Sequence, residues 1–400
     1  MVYQKLNEYD VTLETFHSLN SKLKRFKDKI NSKKCFLGFD GYIDSLYSLV
    51  KSRTSLNKWK RMENLSTFGN YISNIAGSSG NIERILKRKT SGGFAVNTSK
   101  ALSALDVKIN LVAAMGFPKI KEVFRPLLSN KTINFISFSN PGETVGLEFD
   151  DGKLLLPDFS NIMNISWRLL MKRVGTENLI SFIYDSELMG FGHWAPLPHM
   201  DDIWQHLLDD IFPSIENLNH KLFFVDLADI KKRSAENILT MLKLLRKIND
   251  QIPVLLSLND QEAIDITKAL NRVKWINSTD NEYKDFTDTG KKINQEINLS
   301  YLVIHSPHFA TISLQDGNHY WITEGFTSQP KYTTGAGEYF HSGATIALSC
   351  GMSPAESLLF GNALTAIFVR SGKAPDFTQL VQFIMNYMKY IEKDLSKFPL

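Results

Sequence analysis

The spacing of apolar residues along the chain predicts alternating helices and strands. Between residues 11 and 30, apolar side chains recur at steps of mostly three and four, which predicts an amphipathic helix. Further helices are predicted at residues 98–105, 235–248, 344–350 and 355–369. Short apolar runs predict buried strands at residues 108–114, 179–184, 221–225, 254–258 and 302–304. This alternation is typical of an α/β fold with a mostly parallel sheet.

Two segments add detail to this picture. Residues 35–44 predict a short buried strand that ends in a loop with two carboxylates, and residues 144–149 and 153–156 flank an Asp-Asp-Gly turn that predicts a hairpin. No Pro- or Ser-rich linker divides the chain, and no repeat is visible. We therefore expect one domain over residues 1–400, with a small accessory β-sheet, or lid, from segments within about 42–90 and 140–160.

Composition narrows the functional classes. The chain has 400 residues with 46 basic and 42 acidic side chains, a formal net charge of +4. This charge is too small to indicate nucleic acid or an anionic membrane as a partner. No apolar run approaches the roughly 20 residues of a membrane span, and the N-terminal residues show no signal-peptide pattern. Cys35 and Cys350 alone cannot form a disulfide framework. We expect a soluble, cytoplasmic protein.

The strongest local signal for chemistry is the run TTGAGE at residues 333–338, which precedes a helix. Small residues before a helix N-terminus allow several backbone N–H groups to point at one anion, aided by the helix dipole. Glu338 lies in the first helical turn, beside that anion site. A phosphate with an adjacent carboxylate is typical of phosphoryl transfer. The alternative is a glycine-containing loop that is merely capped by an acidic first turn.

Other site patterns are weaker. A GxxxxGK[ST] phosphate loop does not occur, and the GFG at residues 190–192 lacks the third glycine of a dinucleotide fingerprint. The histidine pairs at 193 and 199 and at 305 and 308 have loose spacing with no completing ligand. His193 follows a predicted strand and is a candidate for the substrate cleft, although a core or loop role is the default for each of these histidines.

Taken together, the motifs resemble the ribokinase-like (PfkB) carbohydrate kinase family from about residue 36 to residue 377. The run TTGAGEYFHSG at residues 333–343 is similar to the family signature DTTGAGDxFxxG. The resemblance implies a three-layer α/β/α domain with a mostly parallel central sheet and a small β lid. It also implies that the backbone of Gly335, Ala336 and Gly337 forms an anion hole for the phosphoryl group. Glu338 takes the place of the catalytic aspartate.

Shorter motifs match in the expected order. Residues 226–233, DLADIKKR, resemble the family's D-x-N-x-R segment, and NDQE at 259–262 matches N-x-x-E. The resemblance assigns substrate binding to Asp40, Gly41, Asp44, Gly92, Gly93 and Asn97. It assigns nucleotide binding to Asn259, Glu262, Thr334 and Asn362. In the family the N-x-x-E motif holds Mg²⁺ through water, a role that falls here on Asn259 and Glu262.

The implied activity is transfer of the ATP γ-phosphoryl group to a hydroxyl of a sugar or related small polyol, with Mg²⁺. A non-catalytic sugar- or nucleotide-binding relative, and a kinase of nucleosides or other alcohols, stay open as alternatives. ADP is a minor option as donor, because GFDGYID at residues 38–44 is somewhat similar to the opening of ADP-dependent sugar kinases. Lids in the family often pair, so a homodimer is also implied.

The chain departs from the family pattern at three places. Glu338 adds a methylene to the usual aspartate, which displaces the carboxylate by roughly 1 Å, a shift that can reduce a rate by about 100-fold. Residues 304–310 contain Pro307 and no glycine where the family has T-x-G-x-x-G. Tyr332 stands where the signature begins with aspartate. We expect the last two to alter nucleotide placement and local polarity.

Overall fold

The computed structural model describes residues 2–275 and 282–398, which fold into alternating helices and strands. The strands are β1 Lys34–Phe39, β2 Tyr42–Ser55, β3 Lys58–Arg61, β4 Arg84–Gly92, β5 Lys108–Ala113, β6 Ile133–Ser137, β7 Gly142–Glu148, β8 Lys153–Asp158, β9 Leu188–Gly192, β10 Leu222–Asp226, β11 Val254–Asn259, β12 Tyr301–His305, β13 Phe309–Leu314 and β14 His319–Thr323. The helices are α1 Val2–Lys22, α2 Phe26–Ser32, α3 Leu65–Asn74, α4 Phe94–Ala104, α5 Arg125–Leu128, α6 Trp167–Arg173, α7 Thr176–Asp185, α8 Met200–His206, α9 Ala235–Asn249, α10 Asp260–Ala269, α11 Glu282–Ile297, α12 Ala336–Ser349, α13 Pro354–Ser371, α14 Phe377–Met385 and α15 Tyr387–Glu392.

A mostly parallel sheet forms the centre of the fold. Within the described ranges it has nine strands in the order β14-β13-β12-β11-β10-β9-β1-β5-β6. The strands from β12 to β6 in this order pair in parallel, and β13 and β14 add an antiparallel hairpin at one edge. Because parallel strands end at the same edge, the carboxyl ends of β1, β9, β10 and β11 lie side by side. Ligands of open α/β sheets bind at this edge.

Alternate residues of the central strands point into two hydrophobic cores. In β1, Leu37 packs on one side with residues of α4, α12 and α13, whereas Phe36 packs on the other with residues of α7, α8 and α9. Strands buried on both faces read as continuous apolar runs, which is why the sequence shows no alternation there. Helices on both faces of a parallel sheet confirm the predicted three-layer α/β class.

A second, smaller sheet projects beside the carboxyl edge. Its strands follow the order β3-β2-β7-β8, with β4 also paired to β2. The strands come from residues 42–61, 84–92 and 142–158, within the segments expected to form an accessory sheet. β2 pairs in parallel with β7 and antiparallel with β4, starting at Tyr42 in both ladders. The sheet therefore begins directly at the end of β1, although its action as a lid stays a prediction.

The structure corrects several predicted elements. Residues 179–184 are helical and belong to α7, because Leu179, Phe182 and Ile183 form the buried stripe of a helix and not a strand. Asp44 lies within β2 and not in a loop. Helices α4 and α12 begin at Phe94 and Ala336, earlier than the apolar pattern indicated. Among residues 2–275 and 282–398, no helix has both the length and the apolarity that a membrane span requires.

Candidate active site

A cavity of roughly 330 Å³ lies between the carboxyl edge of the central sheet and the second sheet. The N-terminus of α12 faces it, so the N–H groups and the dipole of that helix favour negative charge here. The lining includes Asp44, Gly93, Asn97, Thr334 and Glu338. These predicted site residues, far apart in the sequence, are brought together by the fold.

The predicted anion loop is the N-terminus of α12. Gly335 is the N-cap with φ of 97°, a left-handed conformation that favours glycine. A Cβ at this position would lie 3.3 Å from Asn97 Nδ2 and 3.4 Å from Phe368 Cζ, so the loop packs closely on α4 and α13. The N–H of Ala336 donates to the carbonyl oxygen of Thr333 (3.2 Å) and is therefore engaged within the turn in this structure.

Glu338 lies in the first turn of α12 and faces the cavity with 11% of its side chain exposed. Asn97 Nδ2 donates to its Oε1 at 3.0 Å. His193 Nε2 lies 3.8 Å from the same oxygen. One carboxylate oxygen is therefore held from two sides, and no side-chain donor contacts Oε2 among the described residues.

Asp40 and Asp44, predicted as a pair of sugar-binding residues, have different environments. Asp40 is fully buried, and its two oxygens accept the N–H groups of Phe94 and Ala95, each at 2.9 Å. It therefore caps α4 and lies behind the cavity wall. Asp44 lines the cavity, and burial raises its pKa.

The neighbouring glycines explain how these two carboxylates fit. A Cβ on Gly92 would lie 2.2 Å from Asp44 Oδ2, and a Cβ on Gly93 would lie 3.0 Å from Asp40 Oδ2. A Cβ on Gly41 would lie 2.2 Å from the carbonyl oxygen of Ala114, so the backbone packs equally closely there. Gly92 thus makes room for Asp44 and Gly93 for Asp40, while Gly93 also lines the cavity.

His193 and Lys100 are not among the predicted substrate- or nucleotide-binding residues, and both line the cavity. His193 Nδ1 lies 3.2 Å from Asp40 Oδ2. The Lys100 ammonium donates to the carbonyl oxygen of Ser91 and to Asn97 Oδ1. The sequence marks His193 only as a candidate for the cleft, on the strength of the strand before it. Lys100 lies in a helix of small residues, and nothing in its local pattern marks it.

The charges around the cavity perturb one another. Burial alone would lower the pKa of His193, but its hydrogen bond to Asp40 and the nearby carboxylates raise it to about 10. Burial lowers the pKa of Lys100 to about 8. Burial, together with the charge of the neighbouring Glu338, raises the pKa of Asp226, at the end of β10, to about 6. Perturbed groups that converge on one cleft are typical of functional sites.

Asn259 and Glu262 form the capping box of α10. Asn259 Oδ1 accepts the N–H of Glu262 (2.8 Å), and Glu262 Oε2 accepts the N–H of Asn259 (2.9 Å). Glu262 is buried, and its pKa is raised by burial and by the charge of Asp226. The buried Glu262 and the half-buried Asp226 whose charge acts on it fit a cation that keeps part of its water shell, as Mg²⁺ does. Within the described ranges, His, Cys, Asp and Glu form no group of three or more that could hold a metal directly.

Other predicted positions are placed away from the cavity. Asn362 is fully buried in α13 and does not line the cavity, so a direct nucleotide contact has no support here. Of the DLADIKKR segment, Asp229 and Lys232 line the cavity, whereas the Arg233 guanidinium lies 4.5 Å over the Trp194 ring.

Two further positions at which the sequence departs from the family pattern, the segment around Pro307 and Tyr332, have structural explanations. Residues 306–308 connect β12 to β13, closed by the N–H of Ser306 donating to the carbonyl oxygen of Phe309 (2.8 Å), so Pro307 lies at a hairpin tip. Tyr332 lines the cavity, with the Arg88 guanidinium 5.0 Å over its ring. An aromatic wall thus replaces the polar residue of the signature.

Comparisons with known proteins agree with this geometry. The family of prokaryotic ketohexokinases matches residues 11–387. A ketohexokinase of Haloferax volcanii is 26% identical over 382 residues, which cover 94% of this chain and 98% of the relative.

Among solved structures, a carbohydrate kinase from Agrobacterium tumefaciens aligns with a TM-score of 0.58 at 18% identity, over 89% of this chain and 97% of that one. Arabidopsis thaliana ribokinase, complexed with ribose and ATP, aligns with a TM-score of 0.58 at 13% identity, over 88% and 98% of the two chains. These likenesses show the fold. Because the family match spans most of its length, this chain belongs to the prokaryotic ketohexokinase family, and it is a ribokinase-like sugar kinase.

Proposed function

We propose that the protein transfers the γ-phosphoryl group of ATP to a hydroxyl of a ketohexose, with Glu338 as the general base. The observation that carries this proposal is the position of Glu338. Its carboxylate faces the cavity in the first turn of α12, next to the N-terminal N–H groups of that helix. A sugar hydroxyl in the cavity can approach the base while a phosphoryl group meets the positive end of the helix.

The reaction needs few groups from the protein. The acceptor O–H bond breaks, its proton goes to Glu338 Oε2, and the acceptor oxygen bonds to phosphorus as the bond to the ADP oxygen breaks. The N–H groups of Gly335 and Gly337 are proposed to receive the negative charge of the transferred group. Asp44 and Asn97, which line the cavity, are proposed to hold sugar hydroxyls.

Asn259 and Glu262 are proposed to hold Mg²⁺ through water, and the bound metal would neutralise phosphate charge. Thr334, which lines the cavity ahead of α12, is proposed to contact the phosphates of ATP. Closure of the second sheet over the sugar would exclude water and limit hydrolysis of ATP. A cytoplasmic location, expected from the sequence, and a homodimer, which the family resemblance implies, complete the proposal.

The direct test is phosphoryl transfer by the purified protein from Mg-ATP, with Mg-ADP in parallel, to a panel of ketohexoses, aldoses, polyols and nucleosides. We expect transfer to ketohexoses from ATP. A preference for nucleosides, or transfer only from ADP, would contradict the proposed acceptor or donor. Sugar binding in a calorimeter without turnover would instead favour a non-catalytic binding protein.

Substitution of Glu338 tests the base. Glu338→Gln should lower kcat by about 10²–10⁴-fold, and Glu338→Asp, which withdraws the oxygens by roughly 1 Å, by about 100-fold. Binding of Mg-ATP, measured by calorimetry, should persist in both. Glu177→Gln is the matched control, because Glu177 is also an acidic residue in the first turn of a helix but lies on α7, outside the cavity. Full activity of Glu338→Gln would show that another group takes the proton.

A further inference from the structure

His193 is a half-buried titratable group that the proposed reaction leaves without a role. It follows β9 directly and lines the cavity with 17% of its side chain exposed. Its two ring nitrogens face two different carboxylates. Nδ1 lies 3.2 Å from Asp40 Oδ2, and Nε2 lies 3.8 Å from Glu338 Oε1. The imidazole therefore bridges the cap of α4 and the proposed base on α12.

The orientation of this imidazole is determined by Asp40. Both oxygens of Asp40 accept backbone N–H groups of α4, so its carboxylate cannot rotate freely. The rings of Tyr42 and Phe94 flank the imidazole, each with a centroid separation of 6.2 Å. A histidine held at one nitrogen presents the other nitrogen in a defined direction. Here that direction leads to Glu338.

The surroundings of His193 favour its charged form. The titratable groups that act on it or that it acts on are Asp40, Asp44, Asp226, Glu262, Glu338 and His341. Burial opposes the charge, but the hydrogen bond to Asp40 and the charges of Asp40, Asp226 and Glu338 raise the pKa of His193 to about 10. At neutral pH the group beside Glu338 is thus a cation with donors on both nitrogens.

Glu338 needs such a neighbour because its side chain has one more rotatable bond than aspartate. Asn97 Nδ2 donates to Oε1 at 3.0 Å, which restrains that oxygen. The 3.8 Å separation from His193 is an ion-pair distance and not a hydrogen bond. Attraction at this distance between two largely buried side chains further restrains the same oxygen. Oε2 then remains as the oxygen that meets the acceptor.

We infer that His193 is a positioning residue for Glu338: its imidazole, oriented by Asp40, holds Oε1 and so directs Oε2 towards the sugar hydroxyl. This inference rests on the proposed function. The proton of the acceptor still goes to Oε2, and His193 exchanges no proton during the transfer. Its effect belongs to the rate of the chemical step and not to the affinity for sugar or nucleotide.

The test compares wild type, His193→Gln and His193→Ala with a ketohexose and Mg-ATP. Gln keeps a donor for Asp40 but removes the charge. We expect kcat to fall by roughly 10–100-fold in both variants, with KM for sugar and ATP little changed. His199→Gln is the control, since His199 is exposed and outside the cavity lining.

A second measurement separates positioning from a general loss of structure. If His193 acts through Glu338, then His193→Gln should not reduce the residual kcat of Glu338→Gln any further, because effects of residues that act as a unit are not additive. An equal reduction in both backgrounds would overturn the inference, as would a loss confined to KM. Wild type that transfers no phosphoryl group would overturn the proposed function and this inference with it. An active wild type with fully active His193→Gln would overturn this inference alone.

Discussion

At the scale of single residues, the extra methylene of Glu338 explains much of the arrangement around it. A longer side chain reaches further into the cavity, but it also samples more rotamers, and immobilising it has a larger entropic cost. Asn97 and His193 hold one of its oxygens from opposite sides. A glutamate at this position is therefore compatible with a defined base, provided that the acceptor lies correspondingly further from α12.

The perturbed pKa of His193 predicts a pH-dependent contribution to stability. Its pKa is about 10 in the folded protein and has an ordinary value of 6.5 in the unfolded chain. Between these two pKa values the folded state keeps a proton that the unfolded state has lost. The stabilisation from charged His193 is therefore fully present below pH 6.5 and disappears as the pH rises through about 10. We expect the free energy of unfolding of wild type, relative to His193→Gln, to decrease by a few kcal/mol across this range. Urea unfolding at several pH values measures it.

Lys100 provides a control of opposite sign. Its pKa is about 8 in the fold, below the ordinary 10.5, so the unfolded state binds more protons between these two values. Wild type should therefore gain stability relative to Lys100→Met as the pH rises from 8 to 10.5. If the free energy of unfolding varied with pH in the same way for wild type and both variants, neither His193 nor Lys100 would have the shifted pKa that the geometry requires.

At the scale of elements, the anion loop is predictable from sequence because its signal is local. Glycines, small residues and an acidic first turn all lie within six positions before and inside α12. The strand predicted over residues 179–184 is wrong, because Leu179, Phe182 and Ile183 in that apolar run have helical spacing and belong to α7. A short apolar run cannot distinguish the two structures when only its hydrophobicity is considered.

The conformation of Gly335 gives an element-scale prediction. Alanine at a positive φ is disfavoured by about 1–2 kcal/mol, and its Cβ would press on Asn97 and Phe368. Gly335→Ala should lose stability and most of its kcat, since Asn97 holds the proposed base. Gly175→Ala is the matched control. Gly175 is also a helix N-cap with a positive φ, of 84°, but a Cβ there would have no atom within 4 Å.

Both variants should unfold at a lower temperature than wild type, whereas turnover should fall only in Gly335→Ala. Equal turnover of the two variants would contradict a role of the α12 N-terminus in the reaction.

The capping box of α10 gives a second element-scale prediction. Loss of an N-cap side chain typically lowers stability by about 1 kcal/mol, so Asn259→Ala and Ser353→Ala should be destabilised alike. Ser353 forms the equivalent capping box of α13, away from the cavity. If Asn259 and Glu262 hold Mg²⁺ through water, only Asn259→Ala should need more Mg²⁺ for half-maximal turnover. A Mg²⁺ titration of turnover decides this, and equal requirements in the two variants would exclude that role for Asn259.

At the scale of the whole molecule, the site combines chain segments that no local pattern connects. Asp40, His193 and Glu338 come from the ends of β1 and β9 and from the start of α12. Their meeting depends on strand order, because β1 and β9 are neighbours in the sheet although about 150 positions separate them in the chain. The fold class followed from alternating elements, whereas the bridging role of His193 required three-dimensional contacts. For the same reason Asp40 could be predicted at the site but not as the cap of α4.

The second sheet gives the prediction for the assembled protein. β8 is an edge strand in the described part of the chain, and Leu154, Leu155 and Leu156 are 36%, 45% and 51% exposed. Three consecutive exposed leucines on a sheet edge are unusual for a monomer. Burying Leu154 and Leu156 against a second copy would account for the proposed homodimer. Since side chains alternate along a strand, Leu154 and Leu156 share one face, whereas Leu155 lines the cavity.

The dimer can therefore be tested without altering the cavity. We expect wild type to sediment as a dimer, and the double variant Leu154→Glu with Leu156→Glu to sediment as a monomer, because unpaired carboxylates would have to be buried in the interface. Met385→Glu is the control, since Met385 is 54% exposed on α14, outside the second sheet. A monomeric wild type would contradict the homodimer. A dimer that survives in the double variant would place the interface on another surface.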